Sequence, residues 1–237
     1  MHNRDGSKVA KRALKAFENF GLLALYKSVV YPLVNKLFFM QLVLETGNFS
    51  NLTWLGKPIW QNILDLWVIQ ETVFEVKPNL LIETGTNKGG SAFFYAQMFD
   101  LMGKGKVVSI DIEAMHDLIH PRIEFIVGHS TSDYVLGKVR DIASFVGGPV
   151  MVILDSDHST DHVSSELEEY ARFVTPNSYL LVQDGVIDIL PIFRFARPGP
   201  LAAIRSFIQR HPEFEVDFER GRRFLITHHP SGWLRRR

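Results

Sequence analysis

The chain has 237 residues, 46% of them hydrophobic and 22% charged, which is enough apolar material for one large domain with a substantial core. The formal net charge is zero, which argues against a general nucleic-acid binder. There is no cysteine, so disulfides, thiolate chemistry and cysteine-based zinc sites are excluded as well.

The charge is unevenly placed. Residues 1–36 carry seven basic side chains against Asp5 and Glu18, and residues 219–237 carry six arginines against Glu219. The body between is therefore acidic. Residues 8–44 read as one or two amphipathic helices, with Val9, Leu14, Phe17, Leu22, Leu23 and Tyr26 at helical spacing and Pro32 dividing them. They are expected to cap the sheet or to form a subunit contact, so that residues 1–50 make an N-terminal helical cap and the protein is a homo-oligomer. A basic apolar helix also allows weak association with a membrane surface. The apolar stretch is too interrupted by Lys27, Asn35, Lys36 and Gln41 for a span, and no secretory signal is evident. A cytoplasmic location is expected.

Gly47 to Pro58 reads as a loop, with Trp54 and Trp60 placed to pack or to line a substrate mouth. A helix over 61–76 leads into Leu80-Leu81-Ile82-Glu83-Thr84, an apolar run ending in an acid. Gly85-Thr86-Asn87-Lys88-Gly89-Gly90 follows, and a helix opens at Ser91. Strand, tight glycine loop and helix start together describe a nucleotide-type cofactor site at the carboxyl edge of a parallel sheet. The spacing, Glu83-x-Gly85-x-x-x-Gly89, is not the dinucleotide fingerprint. A carboxylate at 83 would repel a pyrophosphate but suits a cationic ligand such as S-adenosylmethionine. A nicotinamide oxidoreductase is disfavoured on the same ground.

The pattern repeats. Val107 to Asp111 is a second strand ending in an acid, and Asp111 is placed to accept from ribose hydroxyls. Ile123 to Gly128 is a third strand, followed by His129 and Ser130 and a helix over 133–144. Pro149 to Leu154 is a central strand ending in Asp155-Ser156-Asp157-His158, and a helix follows it. Ser178 to Val182 is a fifth, ending in Gln183-Asp184-Gly185. A long loop then runs through Pro191 and Pro200, a candidate lid. After a helix over 201–210, Phe214–Phe218 and Arg223–Thr227 read as an antiparallel hairpin. The architecture expected is α/β: a Rossmann-like doubly wound sheet, mostly parallel, with a C-terminal antiparallel hairpin and N-terminal helices.

Asp155, Asp157 and Asp184 converge in such a sheet, and converging carboxylates call for a cation, Mg²⁺ first. A hydroxyl near that ion would lose its proton more easily, and His158 stands beside the cluster to take it. Asp157 would serve equally as a helix cap, and Asp155 would serve equally to hold the cofactor's ammonium group. His158 and His162, four apart, also have the spacing of a transition-metal pair.

With these residues in place the chain resembles the cephalosporin hydroxylase family, which includes rhamnosyl O-methyltransferases. The resemblance runs from Trp54 to Leu234. It rests on Ile82-Glu83-Thr84-Gly85-Thr86 with Gly89-Gly90-Ser91, on Ser109-Ile110-Asp111, on Leu154-Asp155-Ser156-Asp157-His158-Ser159 with His162-Val163 and Glu166-Leu167, and on His229-Pro230-Ser231-Gly232-Trp233-Leu234. It implies the S-adenosylmethionine-dependent methyltransferase fold over residues 51–237. It also implies methyl transfer to a hydroxyl of a sugar or small natural product, and Mg²⁺ held at the ends of the fourth and fifth strands.

Carried onto this chain, the resemblance puts Glu83, Gly85, Thr86, Gly89, Ser91, Asp111, Ser130 and Asp155 at the cofactor. It puts Asp155, Asp157, Gln183 and Asp184 at the metal. Asp155 and His158 become the catalytic pair. A looser likeness to catechol-type O-methyltransferases places Ser130 by the adenine and His158 at the base position. The family usually has Glu-Asp where this chain has Gln183-Asp184, which weakens the expected metal site. The substitution also leaves open a small-molecule-binding protein that does not turn over.

Overall fold

A computed structural model describes residues 11, 12, 15, 22–45 and 51–237. The chain divides into two compact units, Met1–Thr46 and Gly47–Arg237.

In the first unit, α1 (Leu22–Leu25), a π-helical turn (Tyr26–Val30) and α2 (Tyr31–Glu45) follow without a gap. Pro32, expected to separate two helices, instead marks the change of helix type. A proline ring clashes with the carbonyl four residues back, and the wider π turn, in which Tyr31 N–H donates to Tyr26 O, relieves that crowding. The part of the expected helix that includes Val9, Leu14 and Phe17 lies outside the described residues.

The second unit opens with a two-stranded ribbon, β1 (Thr53–Trp54) against β2 (Lys57–Pro58), where a loop was expected. Leu55 and Gly56 both have positive φ, the geometry of a tight hairpin turn. Helix α3 (Ile63–Val76) is capped by the Asn62 side chain, which accepts from Leu64 N at 3.0 Å.

The sheet contains β3 (Leu80–Thr84), β4 (Lys106–Asp111), β5 (Ile123–Val127), β6 (Val150–Leu154), β7 (Tyr179–Val182), β8 (Phe214–Val216) and β9 (Trp233–Arg236), in the order β5-β4-β3-β6-β7-β9-β8. The first five are parallel, and β9 runs antiparallel to both β7 and β8. Helices α4 (Gly90–Met102), α5 (Asp133–Val146), α6 (Thr160–Tyr170) and α7 (Pro200–Arg210) complete the winding.

The central strands β6 and β7 are apolar and buried at every position because both faces are covered. Alternation divides the sheet residues. Leu80, Ile82, Val152, Leu154, Leu180 and Val182 pack with Val135, Leu167 and Phe207 on one face. Leu81, Met151, Ile153 and Leu181 pack with Ile69, Tyr95, Phe99 and Trp233 on the other. The order reverses between β3 and β6, so the carboxyl ends of these two strands part and leave a crevice.

One expectation fails here. Arg223–Thr227 is not a strand, and the antiparallel partner of β8 is Trp233–Arg236. Asp217 diverts the chain after β8: its carboxylate accepts from Arg220 N at 2.9 Å and starts a short helix, α8 (Phe218–Gly221). Buried Asp65 on α3 then holds the following stretch in an irregular path, accepting from Thr227 Oγ1 at 2.5 Å and from His228 N at 2.8 Å. Trp233 and Leu234, both fully buried, supply the core contacts that the expected strand lacked.

Candidate active site

A cavity of about 580 Å³ opens at the crevice between β3 and β6. The glycine loop forms one wall through Gly85, Thr86, Asn87, Lys88 and Gly90, with Ser91 at the start of α4. Asp111 and Ser130 line it from the ends of β4 and β5, and Asp155, Asp157, His158 and Asp184 from the ends of β6 and β7. Four carboxylates and a single lysine among these lining side chains favour a cationic ligand.

Two glycines are required by close backbone approach. A Cβ on Gly85 would lie 1.9 Å from Asp155 O, and one on Gly90 would lie 2.0 Å from Pro58 O. Gly85 also has φ +90°, in the region that favours glycine. Asp111 braces the loop: its Oδ2 accepts from Asn87 N at 2.8 Å.

Glu83 and Gly89, both expected at the cofactor, do not line the cavity. Gly89 supplies the left-handed turn (φ +78°) from which α4 starts. Glu83 is fully buried; Ser109 Oγ donates to its Oε2 at 2.6 Å, and Oε1 has no hydrogen-bond partner among the described residues. Burial pushes the Glu83 carboxyl up to about 7, against the hydrogen bond from Ser109.

This has a consequence for stability. The folded chain binds the Glu83 proton more tightly than the unfolded chain, whose value is near 4.5. Its contribution is therefore greatest below pH 4.5, falls as pH rises towards 7 and is level above that. The full fall is about 3 kcal/mol. Glu83→Gln, which cannot ionise, is expected to flatten this slope. Thermal unfolding between pH 4.5 and 8 without cofactor measures it, and a slope unchanged in the variant would assign the pH dependence elsewhere.

At the other end of the cavity three side chains converge. One ligand atom each of Asp155, His158 and Asp184 lie within 4.8 Å of one another. His158 Nε2 is 3.1 Å from Asp184 Oδ2, and His228 Nδ1 is 3.5 Å from Oδ1. Burial pushes the Asp155 carboxyl well up, and the charges of Asp184 and Glu83 push it further. For Asp184 burial acts in the same sense, but hydrogen bonds from His158 and His228 outweigh it and hold the group ionised. His158 is raised in turn: its bond to Asp184 overcomes the downward pull of burial. This imidazole therefore holds its proton to higher pH than a free histidine does.

The other two metal candidates sit differently. Asp157 Oδ1 accepts from Ser159 N at 2.6 Å, which fixes the turn into α6 and holds the carboxyl below its ordinary value. Buried Gln183 lies against Gln61 and Asp155. Gln61 Nε2 donates to Asp155 Oδ2 and to Gln183 Oε1, both at 2.7 Å. With its amide turned the other way, Gln183 donates to both Asp155 oxygens at 3.2 and 3.3 Å. Either way this amide pair steadies Asp155. Gln61 was not foreseen, since a polar residue one place before a helix cap carries no periodic signal.

The His158–His162 pair does not converge. His162 Nε2 turns to Glu166 Oε1 at 3.2 Å and Ser156 Oγ at 3.0 Å, while His158 faces Asp184. Glu166, fully buried, also accepts from Thr84 Oγ1 at 3.2 Å and Ser156 Oγ at 2.8 Å, so this group ties the ends of β3 and β6 to α6. The tryptophans separate as well. Trp60 is exposed and lines the cavity, and Trp54 packs edge-on against Phe94 at 4.8 Å. The candidate lid is two short 3-10 turns, with Asp188 accepting from Gly199 N and Leu201 N, both at 2.8 Å.

A switch-point crevice walled by carboxylates, with a glycine loop that departs from the dinucleotide pattern, defines the class as a doubly wound α/β protein with a nucleotide-type cofactor site. The family model for rhamnosyl O-methyltransferase/CmcI matches residues 47–237, and the chain belongs to that family. It is an S-adenosylmethionine-dependent O-methyltransferase.

The chain is 33% identical over 199 residues to the rhamnosyl O-methyltransferase of Mycobacterium leprae, covering 81% of this chain and 86% of that one. It is 31% identical over 199 residues to the rhamnosyl O-methyltransferase of Mycobacterium tuberculosis, covering 78% and 80%. Among solved structures, CmcI with Mg-SAM has a TM-score of 0.64 at 18% identity, covering 82% of this chain and 80% of that one. Apo CmcI has a TM-score of 0.63 at 17% identity, covering 81% and 79%. At these identities the two structures support the fold.

Proposed function

We propose that the protein transfers a methyl group from S-adenosylmethionine to a hydroxyl of a sugar or small natural product, with a rhamnosyl unit as the first acceptor to test. The observation that carries the reading is the cavity itself, with a glycine loop at one end and the Asp155–His158–Asp184 trio at the other. The mycobacterial relatives are named for rhamnosyl O-methylation, and CmcI has been solved with Mg-SAM.

The residues present fit both groups. The acidic lining suits a ligand carrying a sulfonium and an ammonium group, and Asp111 sits where a ribose would be held. Asp155 and Asp184 would hold Mg²⁺, which when bound lowers the pKa of a neighbouring hydroxyl. His158 would serve as the base: with Asp184 engaged by the ion, its imidazole gives up to solvent the proton that the Asp184 bond favours and, once neutral, takes the hydroxyl proton onto Nε2. Gln61 and Gln183 keep Asp155 in place. Trp60 at the mouth offers an aromatic face to a sugar ring. We place the reaction in the cytoplasm and the working protein as a homo-oligomer.

The direct test is incubation with S-adenosylmethionine, Mg²⁺ and p-nitrophenyl α-rhamnoside, followed by mass spectrometry. A product heavier by one methylene group supports the reading. Native mass spectrometry of freshly purified protein tests the cofactor separately. Absence of bound S-adenosylmethionine or its product, together with no binding by calorimetry, would overturn it.

Gln183 provides a sharper test of the metal. Gln183→Glu restores a carboxylate beside Asp155 and is expected to raise Mg²⁺ affinity about tenfold. Without metal the added buried charge should lower the melting temperature. Calorimetry and thermal unfolding with and without EDTA measure both effects. An unchanged Mg²⁺ affinity would remove position 183 from the metal site.

A further inference from the structure

The N-terminal unit carries a feature that the cavity does not use. Leu25, Val29, Leu33 and Leu37 form one i, i+4 row, and Tyr26, Val30, Val34 and Phe38 form the row beside it. Each of these eight side chains is between 40% and 54% exposed. Two adjacent rows of large apolar residues in solvent make a continuous patch rather than scattered surface hydrophobes.

The flanking rows are mixed, with Ser28, Pro32, Lys36 and Met40 on one side and Lys27, Tyr31, Asn35 and Phe39 on the other. Lys27 and Lys36 are exposed on the rows to either side of it. Ser28, which would put a hydroxyl near it, turns that hydroxyl back onto Ala24 O at 2.7 Å. Ahead of the helix, Lys11, Arg12 and Lys15 are helical and exposed. Against these five cations the only acid among the described residues of this unit is Glu45. No helix among the described residues is long and apolar enough to cross a membrane.

We propose that this helical segment lies in the surface of a lipid bilayer that carries anionic headgroups. The double apolar row would enter the boundary between headgroups and acyl chains, and the lysines alongside would extend their ammonium groups to the phosphates. The charge decides between this occupant and a second copy of the chain. A second copy would offer Lys27 and Lys36 no acid to pair with, since residues 22–44 contain none. Anionic headgroups neutralise all five. The inference does not depend on which acceptor is methylated.

The test is flotation of the full-length protein with vesicles of phosphatidylcholine alone and with 30% phosphatidylglycerol. The wild type is expected to float with the anionic vesicles at least tenfold more than with neutral ones, and less at 0.5 M NaCl than at 0.1 M. Leu33→Glu/Leu37→Glu should abolish flotation, and Lys27→Glu/Lys36→Glu should remove the preference for phosphatidylglycerol. Leu101→Glu, at a 91% exposed position in the other unit, should float as wild type does. Unchanged melting temperatures establish that the variants fold.

Absence of wild-type flotation, or flotation of the Leu33/Leu37 variant at the wild-type level, overturns the proposal. So does light scattering that finds a wild-type dimer and a monomeric Leu33/Leu37 variant, neither of which floats. That result assigns the patch to a second copy.

Discussion

Asp184→Asn is expected to lower methyl transfer about a thousandfold while S-adenosylmethionine still binds. Asp184 is the member of the trio that stays ionised, because His158 and His228 both bond to it. It also sits in the left-handed region at φ 55°, which asparagine tolerates and alanine does not. The substitution therefore removes charge with little change of shape. His158 loses the carboxylate that holds its proton, and any divalent ion loses its best anionic ligand. Calorimetry with S-adenosylmethionine, calorimetry with Mg²⁺ and single-turnover transfer separate the three effects. Normal turnover in this variant would mean that the trio is not the reacting end of the cavity.

Gly85→Ala is the second change with a large expected effect, and it acts through the backbone. A methyl group there would fall 1.9 Å from Asp155 O and 2.5 Å from Asp155 C, neither of which belongs to a side chain that could swing away. The positive φ adds strain of its own. The ends of β3 and β6 must separate, and Asp155 moves with them. A loss of about 3 kcal/mol is expected, or about 6–12 °C in melting temperature for a unit of this size. Cofactor binding should fail as well, because the loop and the carboxylate are displaced together. Gly103→Ala is the control: Gly103 also has positive φ (+72°), but nothing lies within 4 Å of its Cβ position. Only the backbone strain remains there, so the difference between the two variants isolates the close approach. Equal losses would show that the contact with Asp155 contributes nothing.

Much of this site could be read before any coordinates, for a simple reason. A strand buried on both faces must be apolar throughout, so an acid at its end stands out, as Asp111, Asp155 and Asp184 do. A parallel sheet brings such ends to one edge, and the three line one cavity. Glu83 follows the same sequence rule but sits one residue before the strand ends, so it is enclosed rather than presented. The sequence offers Asp157 as either a ligand or a helix cap, and in the fold its Oδ1 accepts from the Ser159 amide two residues on.

Other features had no local signature. Arg223–Thr227 reads as the last strand because it is a short apolar run close behind Phe214–Phe218, whereas the true strand, Trp233–Arg236, ends in consecutive arginines. Burial of Trp233 between Tyr179 and the Arg220 guanidinium outweighs that local preference. Gln61 reaches Asp155 from 94 residues away, and His228 reaches Asp184 because Asp65 on α3 holds the loop that carries it.

The chain by itself determined the parallel α/β sheet, the glycine loop and the acids at its rim, since hydrophobic period and backbone freedom are local properties of consecutive residues. Only the tertiary structure decided which acids share a cavity, which are already occupied by amides, and which histidine faces Asp184. Those outcomes depend on distances between segments far apart in sequence, and a carboxylate's charge state is set by what folding places beside it.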